Sequence, residues 1–345
     1  WRTLAAVVLA SAWAGISRVN WMPVPAMLSI VVYVLELRTG GSRRDLLAYL
    51  LWPAVLALGG AASSLAANRG YVAVSGSPVT EFASSLTSDL LWYRLLPSAT
   101  YPLGVLPAIL LASAPAVALG VVWARQNRSR LHAIRWLAVG GALAVLFAGG
   151  VVVSAKIGGG ANLHNLDAYL MLLLVVAVYA VCGPVAHENP SPPRAAGFPP
   201  WAFAVAVFVP IAFALSAAKP WPERDAAGAR QTADRIAAQA TRAAEKGQAV
   251  LFISERHLIA FEGLDIPLQP DYEKVYLMEM AMAGNPEYLG RFHADLEAHR
   301  FGLIVTEALR TRSQGSEYTF GEEHDVWAER VARPILKTYR MEESF

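Results

Sequence analysis

Residues 134–153 read IRWLAVGGALAVLFAGGVVV, a run of twenty residues in which Arg135 is the single charged side chain. The hydrocarbon core of a bilayer requires roughly 20 apolar residues from a helix that crosses it, so this run predicts a transmembrane helix. Three other segments meet the same condition, namely 46–66, 101–124 and 166–185. The sequence therefore predicts a polytopic α-helical membrane protein.

Further apolar segments bring the predicted number of transmembrane helices to about seven. The segment 200–219 ends at Pro220, while 3–17 and 21–37 are shorter and are separated only by residues 18–20. We interpret the two short segments as a tight helical hairpin rather than one broken pair. The prolines of the second segment fall in its first turns, where a missing N–H group costs least.

The density of charged side chains changes sharply near residue 220. The whole chain is 55% hydrophobic and only 16% charged, whereas soluble domains carry about a quarter charged residues. Charges are sparse over 1–219 and reach an ordinary soluble density over 220–345. These ranges are the predicted transmembrane domain and the predicted soluble C-terminal domain. A net charge of +2 without a basic stripe argues against nucleic-acid binding.

The C-terminal domain is predicted to contain two buried strands, at 249–253 and 302–306. They alternate with helices predicted at 223–247, 271–283 and 286–299. Strands that alternate with helices favour a parallel βαβ arrangement, and hence an α/β domain. The domain contains no glycine-rich nucleotide fingerprint, no P-loop, and neither the HExxH nor the GxSxG motif.

Two polar groups in this domain are candidate sites. His257, just after the first strand, is more typical of a structural or substrate-facing position than of a catalytic one. The run Glu322, Glu323, His324 and Asp325 has the composition of a metal cluster, but the helix dipole better explains consecutive acids at a helix start. The sequence therefore requires no cofactor, although a divalent metal is compatible with it.

The distribution of basic residues predicts the orientation of the helices. The loops 38–45, 125–135 and 186–199 carry eight basic residues, against four in the alternate loops. Because basic residues concentrate in cytoplasmic loops, the first set is predicted to be cytoplasmic. Seven crossings then place the C-terminal domain outside the cytoplasm.

The densest polar stretch of the apolar half is 154–167, which reads SAKIGGGANLHNLD. Three consecutive glycines let the backbone present N–H groups to a ligand, and Lys156 adds a point charge suited to phosphate. The donors and acceptors suited to sugar hydroxyls are Asn162, His164, Asn165 and Asp167. The stretch predicts a site for an anionic lipid head group or a phosphorylated sugar, with an ordinary glycine-rich turn as the alternative.

Arg18 and Arg94 lie in the same set of predicted outer loops and complete the substrate-binding candidates. Arg94 suits a phosphate, or else it pairs with Asp89. Arg18 either extends to the membrane surface or lines a site together with Lys156.

The chain resembles one family over most of its length. The shared features are the polytopic helices, the stretch Lys-Ile-Gly-Gly-Gly-Ala-Asn-Leu-His-Asn at 156–165, the corner at 17–21 and the tail stretches at 253–258 and 320–327. They are similar to bacterial GT-C type glycosyltransferases, in particular the glycosyltransferase-39-like membrane proteins.

The resemblance implies an enzyme of the bacterial cytoplasmic membrane that transfers a sugar from a polyprenyl-phosphate donor outside the cytoplasm. It implies that Lys156, with Arg18 or Arg94, holds the donor phosphate. The residues implied to line the sugar or acceptor site are Asn162, His164 and Asn165. The general base of the family is an acidic residue in the first outer loop. That motif is not found in the sequence, so we expect the chain to be an N-terminally incomplete portion with its base upstream.

Two other classes of protein stay open. A non-catalytic membrane subunit, whose outer domain scaffolds an envelope or surface assembly, is consistent with the missing acidic motif. A transporter is less consistent, because transporters place polar groups near the bilayer midplane and these segments hold almost no charge at depth. In each case the lipid bilayer is a partner, and the sequence identifies no protein partner.

Overall fold

The fold is seen in a computed structural model, which describes residues 1–40, 42–75, 90–156, 163–182, 185–187, 199–216, 218, 220 and 223–343. Helices make up 71% of the structure. Four of them are long and apolar enough to cross a membrane, and these are Arg43–Ser75, Val105–Asn127, Ala133–Ser154 and Leu163–Cys182. The prediction of a helical membrane protein is confirmed at this level.

Seven helices form the apolar part of the described chain. The last of the four candidate spans, Leu163–Cys182, begins with a 3₁₀ turn, Leu163–Leu166. The seven helices are α1 Arg2–Ser17, α2 Val24–Glu36, α3 Arg43–Ser75, α4 Val105–Asn127, α5 Ala133–Ser154, α6 Asp167–Cys182 and α7 Pro200–Ser216. Each corresponds to one of the predicted apolar segments. Four of these helices, α1, α2, α6 and α7, are shorter than 18 residues, and α6 forms a span of 20 residues only together with the 3₁₀ turn that precedes it.

Helix α3 is longer than the predicted segment 46–66, and the predicted outer loop 67–100 therefore begins inside it. The early start has a local cause, because Ser42 and Asp45 cap each other. The Asp45 carboxylate accepts from the Ser42 N–H at 3.1 Å, and the Ser42 hydroxyl accepts from the Asp45 N–H at 3.1 Å. At the other end, Asn68 donates to the Gly15 carbonyl oxygen at 3.2 Å, so tertiary contact with α1 continues into these polar turns.

Small residues let α1 and α3 approach closely. A Cβ atom at Gly15 would lie 2.2 Å from the Ser64 carbonyl oxygen, and one at Gly60 would lie 3.1 Å from the Ser11 hydroxyl oxygen. The Ser63 hydroxyl donates to the Val8 carbonyl oxygen at 2.7 Å. Small side chains and hydroxyl hydrogen bonds are typical of helix contacts inside membranes, where lipid offers no hydrophobic drive to associate.

The C-terminal end of α2 is closed by a buried arginine. Arg135 was predicted to belong to a cytoplasmic loop, 125–135, but it lies in the first turn of α5 and is almost fully buried. Its guanidinium donates to the carbonyl oxygens of Val34 and, at 2.8 Å, of Leu37. These carbonyl groups have no partner inside α2, so the helix end attracts a cation.

The C-terminal part contains two strands and six helices among the described residues. They are α8 Ala226–Glu245, β1 Ala249–Phe252, α9 His257–Phe261, α10 Lys274–Ala283, α11 Pro286–Glu297, β2 Phe301–Val305, α12 Gly321–Trp327 and α13 Arg333–Thr338. The predicted strands are present, and they pair in parallel with Val250 opposite Leu303 and Phe252 opposite Val305.

Helices cover both faces of the strand pair. On one face, Ala240 and Ala243 of α8 join Val250 and Phe252 in one apolar cluster. On the other face, Leu251 belongs to a larger cluster that includes side chains of α10, α11 and α13. Alternate residues of β1 therefore enter different cores, as the two-residue period of a strand requires.

Candidate functional site

The segment before α4 brings two of the predicted phosphate ligands, Arg94 and Lys156, into contact. Leu90 and Lys156 form an isolated antiparallel bridge, and the Leu91 N–H donates to the Ala155 carbonyl oxygen at 2.7 Å. A 3₁₀ turn, Trp92–Leu95, then places Arg94 beside Lys156, which follows the C-terminal end of α5. The Arg94 guanidinium donates to the carbonyl oxygen of Lys156.

Arg94 forms a buried ion pair with the C-terminal domain. Its Nη2 lies 2.8 Å from Glu323 Oε1, and the two side chains are only 3% and 8% exposed. The Tyr93 hydroxyl donates to the same carboxylate oxygen at 2.7 Å. Burial and the neighbouring Glu323 carboxylate raise the pKa of the Tyr93 phenol well above its usual value.

Lys156 faces a second carboxylate of the C-terminal domain. Its Nζ lies 4.0 Å from Oε1 of Glu279 in α10, and both side chains are buried. Burial lowers the pKa of the Lys156 ammonium, and the Glu279 charge opposes that shift. Arg94, Lys156, Glu279 and Glu323 are called the buried ion-pair cluster below.

The partners in this cluster were missed at the sequence level. Glu323 was attributed to the helix dipole, and it does lie in the first turn of α12, but its carboxylate binds Arg94. Glu279 stands between Met278 and Met280 in a largely apolar helix. A lone carboxylate at such a position signals a buried partner, since unpaired buried charges are rare, but the signal does not identify Lys156.

Arg18 and the residues around Asp167 form a second, accessible group. Arg18 Nη1 lies 3.9 Å from Asp167 Oδ2, and both side chains are 43% exposed. The Asn20 amide donates to the Asn165 carbonyl oxygen at 3.5 Å. These residues, with the partly buried His164, are called the half-exposed polar cluster below.

Close packing against α5 fixes the turn that carries this cluster. A Cβ atom at Gly150 would lie 2.8 Å from the Asn165 carbonyl oxygen and 2.7 Å from the Leu166 side chain. The 3₁₀ turn Leu163–Leu166 therefore lies directly on the helix, and Asn165 is buried while Asp167 stays accessible.

The predicted site residues thus divide between two groups. Lys156 and Arg94 belong to the buried ion-pair cluster, and Arg18, His164, Asn165 and Asp167 belong to the half-exposed polar cluster. Asn162 and the three glycines at 158–160 lie outside the described residues, as does Asp89, the alternative partner for Arg94. Arg94 pairs with Glu323, a partner that neither interpretation of its sequence position included.

The polar residues of the C-terminal domain have separate partners. His257 lies 3.6 Å from Glu255 at the surface, and the Arg256 guanidinium donates to the Phe252 carbonyl oxygen at 2.8 Å. Asp325 accepts from the N–H groups of Gln314 and Gly315. No group of three or more metal-binding side chains is found in the part of the chain that the structure describes.

Comparison of the chain with protein-family models, with curated proteins and with solved structures finds no match.

Proposed function

We propose that the chain is a GT-C type glycosyltransferase of the bacterial cytoplasmic membrane, which transfers a sugar from a polyprenyl-phosphate donor to an acceptor outside the cytoplasm. In this proposal α1 to α7 are seven transmembrane helices, and the C-terminal part is an extracytoplasmic α/β domain. The half-exposed polar cluster is the observation that carries the proposal, because it combines a guanidinium, a carboxylate and an imidazole at one end of apolar helices.

Contacts at the two ends of the helices support an arrangement in which the predicted cytoplasmic loops lie at one end and the predicted outer residues at the other. Arg18, Asp167 and the buried ion-pair cluster lie at one end, where α1 and α5 finish and α6 begins. At the other end, the Ala186 N–H donates to the Leu35 carbonyl oxygen at 2.7 Å, near Arg135. The predicted cytoplasmic loops therefore share one end, and the C-terminal domain shares the other with Arg18.

The half-exposed polar cluster suits a phosphorylated sugar. The Arg18 guanidinium offers planar paired donors to phosphate oxygens, and its exposure leaves those donors within reach of a ligand. The Asp167 carboxylate accepts hydrogen bonds from sugar hydroxyl groups, and His164 adds a donor or an acceptor. Asn162 is proposed to contribute an amide to the same site.

The proposed reaction needs charge stabilisation at the leaving phosphate. The acceptor oxygen forms a bond to the anomeric carbon and loses its proton to a general base. The bond from that carbon to the phosphate oxygen breaks, and polyprenyl phosphate leaves with the electron pair. Arg18 stabilises the charge that develops on the phosphate. The base is the acidic residue that the family resemblance implies, and no residue of this chain is assigned to it.

A specific observation favours a second function, that of a non-catalytic membrane subunit. The two other cations proposed for the donor phosphate, Arg94 and Lys156, are buried against Glu323 and Glu279. In that arrangement they fasten the C-terminal domain to the helices, which is what a rigid outer scaffold requires. Under this alternative, the half-exposed polar cluster is a membrane-surface ion pair.

A transfer assay distinguishes the two functions. The full-length protein in lipid is supplied with radiolabelled polyprenyl-phosphate sugars, and its native form is compared with Arg18→Gln and Asp167→Asn. Loss of a charge that stabilises the transition state typically lowers the rate by about 10²–10³-fold. The matched control is Arg125→Gln, an exposed arginine near the C-terminal end of α4. Transfer by the native protein and the control, with loss in both variants, supports the enzyme. Absence of transfer from every donor by well-folded native protein contradicts it.

A further inference from the structure

The segment that leads into α12 lies beside the membrane end of α4. The Phe320 N–H donates to the Thr100 hydroxyl at 2.8 Å, and the Phe320 ring packs edge-on against Tyr101 with centroids 6.1 Å apart. Helix α4 begins at Val105 and has 23 residues, which gives a length of about 35 Å at 1.5 Å per residue. Since this length slightly exceeds a bilayer core of about 30 Å, Thr100 and Tyr101 lie at the membrane surface.

Exposed aromatic and apolar side chains surround this contact. Tyr318 is 58% exposed and Trp92 is 55% exposed, and Phe320 and Leu96 are also exposed. Large apolar side chains at this depth are typical of the head-group region, where aromatic rings with one polar end are enriched. Trp92 is next to Tyr93, which binds Glu323 of α12, so these side chains belong to one rim of the protein.

Two arginines lie in the same segment and have no carboxylate partner among the described residues. Arg310 and Arg312 are exposed, and they line a cavity of about 590 Å³ with Ser313, Gln314 and Tyr318. Glu317 is the acidic residue at this cavity, and its carboxylate lies against Gly315. The cavity therefore offers two guanidinium groups together with hydroxyl and amide donors, which suits a phosphate group.

The backbone of this segment is held in place while its arginine side chains stay free. The Asp325 carboxylate accepts from the N–H groups of Gln314 and Gly315, at 2.7 and 3.0 Å. A His324 ring nitrogen lies 2.9 Å from the Arg312 carbonyl oxygen, and Arg333 donates to the Thr311 carbonyl oxygen at 3.0 Å. The segment is therefore pre-organised, so less conformational entropy is lost when a ligand binds.

We propose that residues 306–320 are a docking surface for the anionic phospholipid head groups of the bilayer around the helices. Arg310 and Arg312 bind the lipid phosphates, while Tyr318 and Phe320 enter the head-group region beside Trp92. The two guanidinium groups are complementary to the lipid phosphates, although the acidic residues of the segment, Glu307 (paired with Lys274) and Glu317, bring its net charge to zero. The aromatic side chains of the segment continue the surface at the end of α4. The proposal does not depend on enzymatic activity, because it concerns the way in which the C-terminal domain contacts the membrane.

Depth-dependent quenching tests this proposal on the full chain. Cys182 is replaced by Ser, Tyr318 is replaced by Cys and labelled with a fluorophore, and the protein is reconstituted in phosphatidylcholine bilayers with increasing phosphatidylglycerol. A lipid that carries a spin label on its head group reports contact. We expect quenching that rises with phosphatidylglycerol. In Arg310→Gln/Arg312→Gln we expect an apparent affinity for phosphatidylglycerol about 25-fold lower, since each of the two basic residues near an anionic surface contributes about fivefold.

Three controls make the result decisive. Arg310→Lys/Arg312→Lys keeps the charge and is expected to respond to phosphatidylglycerol almost as the native protein does. Arg242→Gln/Arg340→Gln removes two exposed arginines elsewhere in the domain and is expected to change nothing. Soluble glycerophosphate is expected not to compete. Quenching independent of lipid charge, an unchanged response in the Gln variant, or full competition by glycerophosphate overturns the proposal.

Discussion

At the scale of single residues, the buried ion-pair cluster is the feature of the structure that the sequence predicts least. Arg94 and Glu323 are 229 positions apart, and the sequence around either residue does not predict the other as its partner. The hydropathy pattern identifies which residues enter a membrane, but it does not specify which charge on one loop meets which carboxylate of a distant domain. Lys156 and Glu279 are subject to the same limit.

The first prediction concerns Glu323→Gln, which keeps the size of the side chain and removes its charge. Arg94 would then remain buried without its carboxylate, and breaking a buried pair in this way costs about 3–5 kcal/mol. Amide hydrogen exchange of residues 321–327 should accelerate about a hundredfold or more, since 1.4 kcal/mol corresponds to a factor of ten. The control is Asp234→Asn, which removes one member of an exposed pair with Arg230. It should change the rate of amide hydrogen exchange by less than about fivefold. Equal exchange in native protein and Glu323→Gln would show that the ion pair does not hold the domain.

The second prediction concerns the ionisation of Tyr93. Because its pKa in the folded protein is raised above the ordinary 10.0, the neutral phenol contributes stability that is fully present below pH 10.0. That contribution is lost as the pH rises beyond 10.0 through the folded pKa. Ultraviolet titration of native protein minus Tyr93→Phe isolates this phenol, and its transition is expected well above pH 10. A transition centred at pH 10 would mean that Tyr93 does not donate to the Glu323 carboxylate.

The predicted site residues of the half-exposed polar cluster were predictable as a group but not in their arrangement. The polarity of 154–167 between apolar helices indicated that His164, Asn165 and Asp167 lie at a helix end. The ion pair of Asp167 with Arg18 joins two turns that are far apart in sequence, and only the packing of the helices brings them together.

At the scale of elements, the helices followed closely from hydropathy, because a bilayer imposes a length of apolar sequence that a soluble core does not. The two strands were also predictable, since short β-branched and aromatic runs alternated with helical periodicity. The polar end of α3 was not predicted. The helix continues through residues 67–75, and Asn68 donates to the Gly15 carbonyl oxygen of α1. A tertiary contact of this kind leaves no mark on local hydropathy.

The third prediction concerns the contact between α1 and α3. Gly15→Ala would place a Cβ atom 2.2 Å from the Ser64 carbonyl oxygen, so the two helices would have to separate. Overpacking of this kind typically costs about 1–3 kcal/mol. We expect a lower thermal unfolding midpoint in detergent. Gly140→Ala is the matched control, because a Cβ atom there meets no other atom within 4 Å. An unfolding midpoint for Gly15→Ala that equals that of the control would contradict the close packing of α1 on α3.

At the scale of the whole molecule, the two ends of the helices differ in what they carry. One end holds both polar clusters and contacts the C-terminal domain through Arg94 and Glu323. The other holds Arg135 against the end of α2. The proposed enzyme needs the first end to face outward, so the sidedness of the chain is the claim on which the proposed function depends.

The most direct test of that claim is labelling of single cysteines with a membrane-impermeant maleimide in intact bacterial cells. Cys182 is replaced by Ser, and one cysteine is placed either at Arg340 in the C-terminal domain or at Arg128 beyond α4, both of which are exposed. We predict that the cysteine at 340 is labelled in intact cells and that the cysteine at 128 is labelled only after the membrane is opened. The reverse pattern would place the C-terminal domain in the cytoplasm and contradict the account.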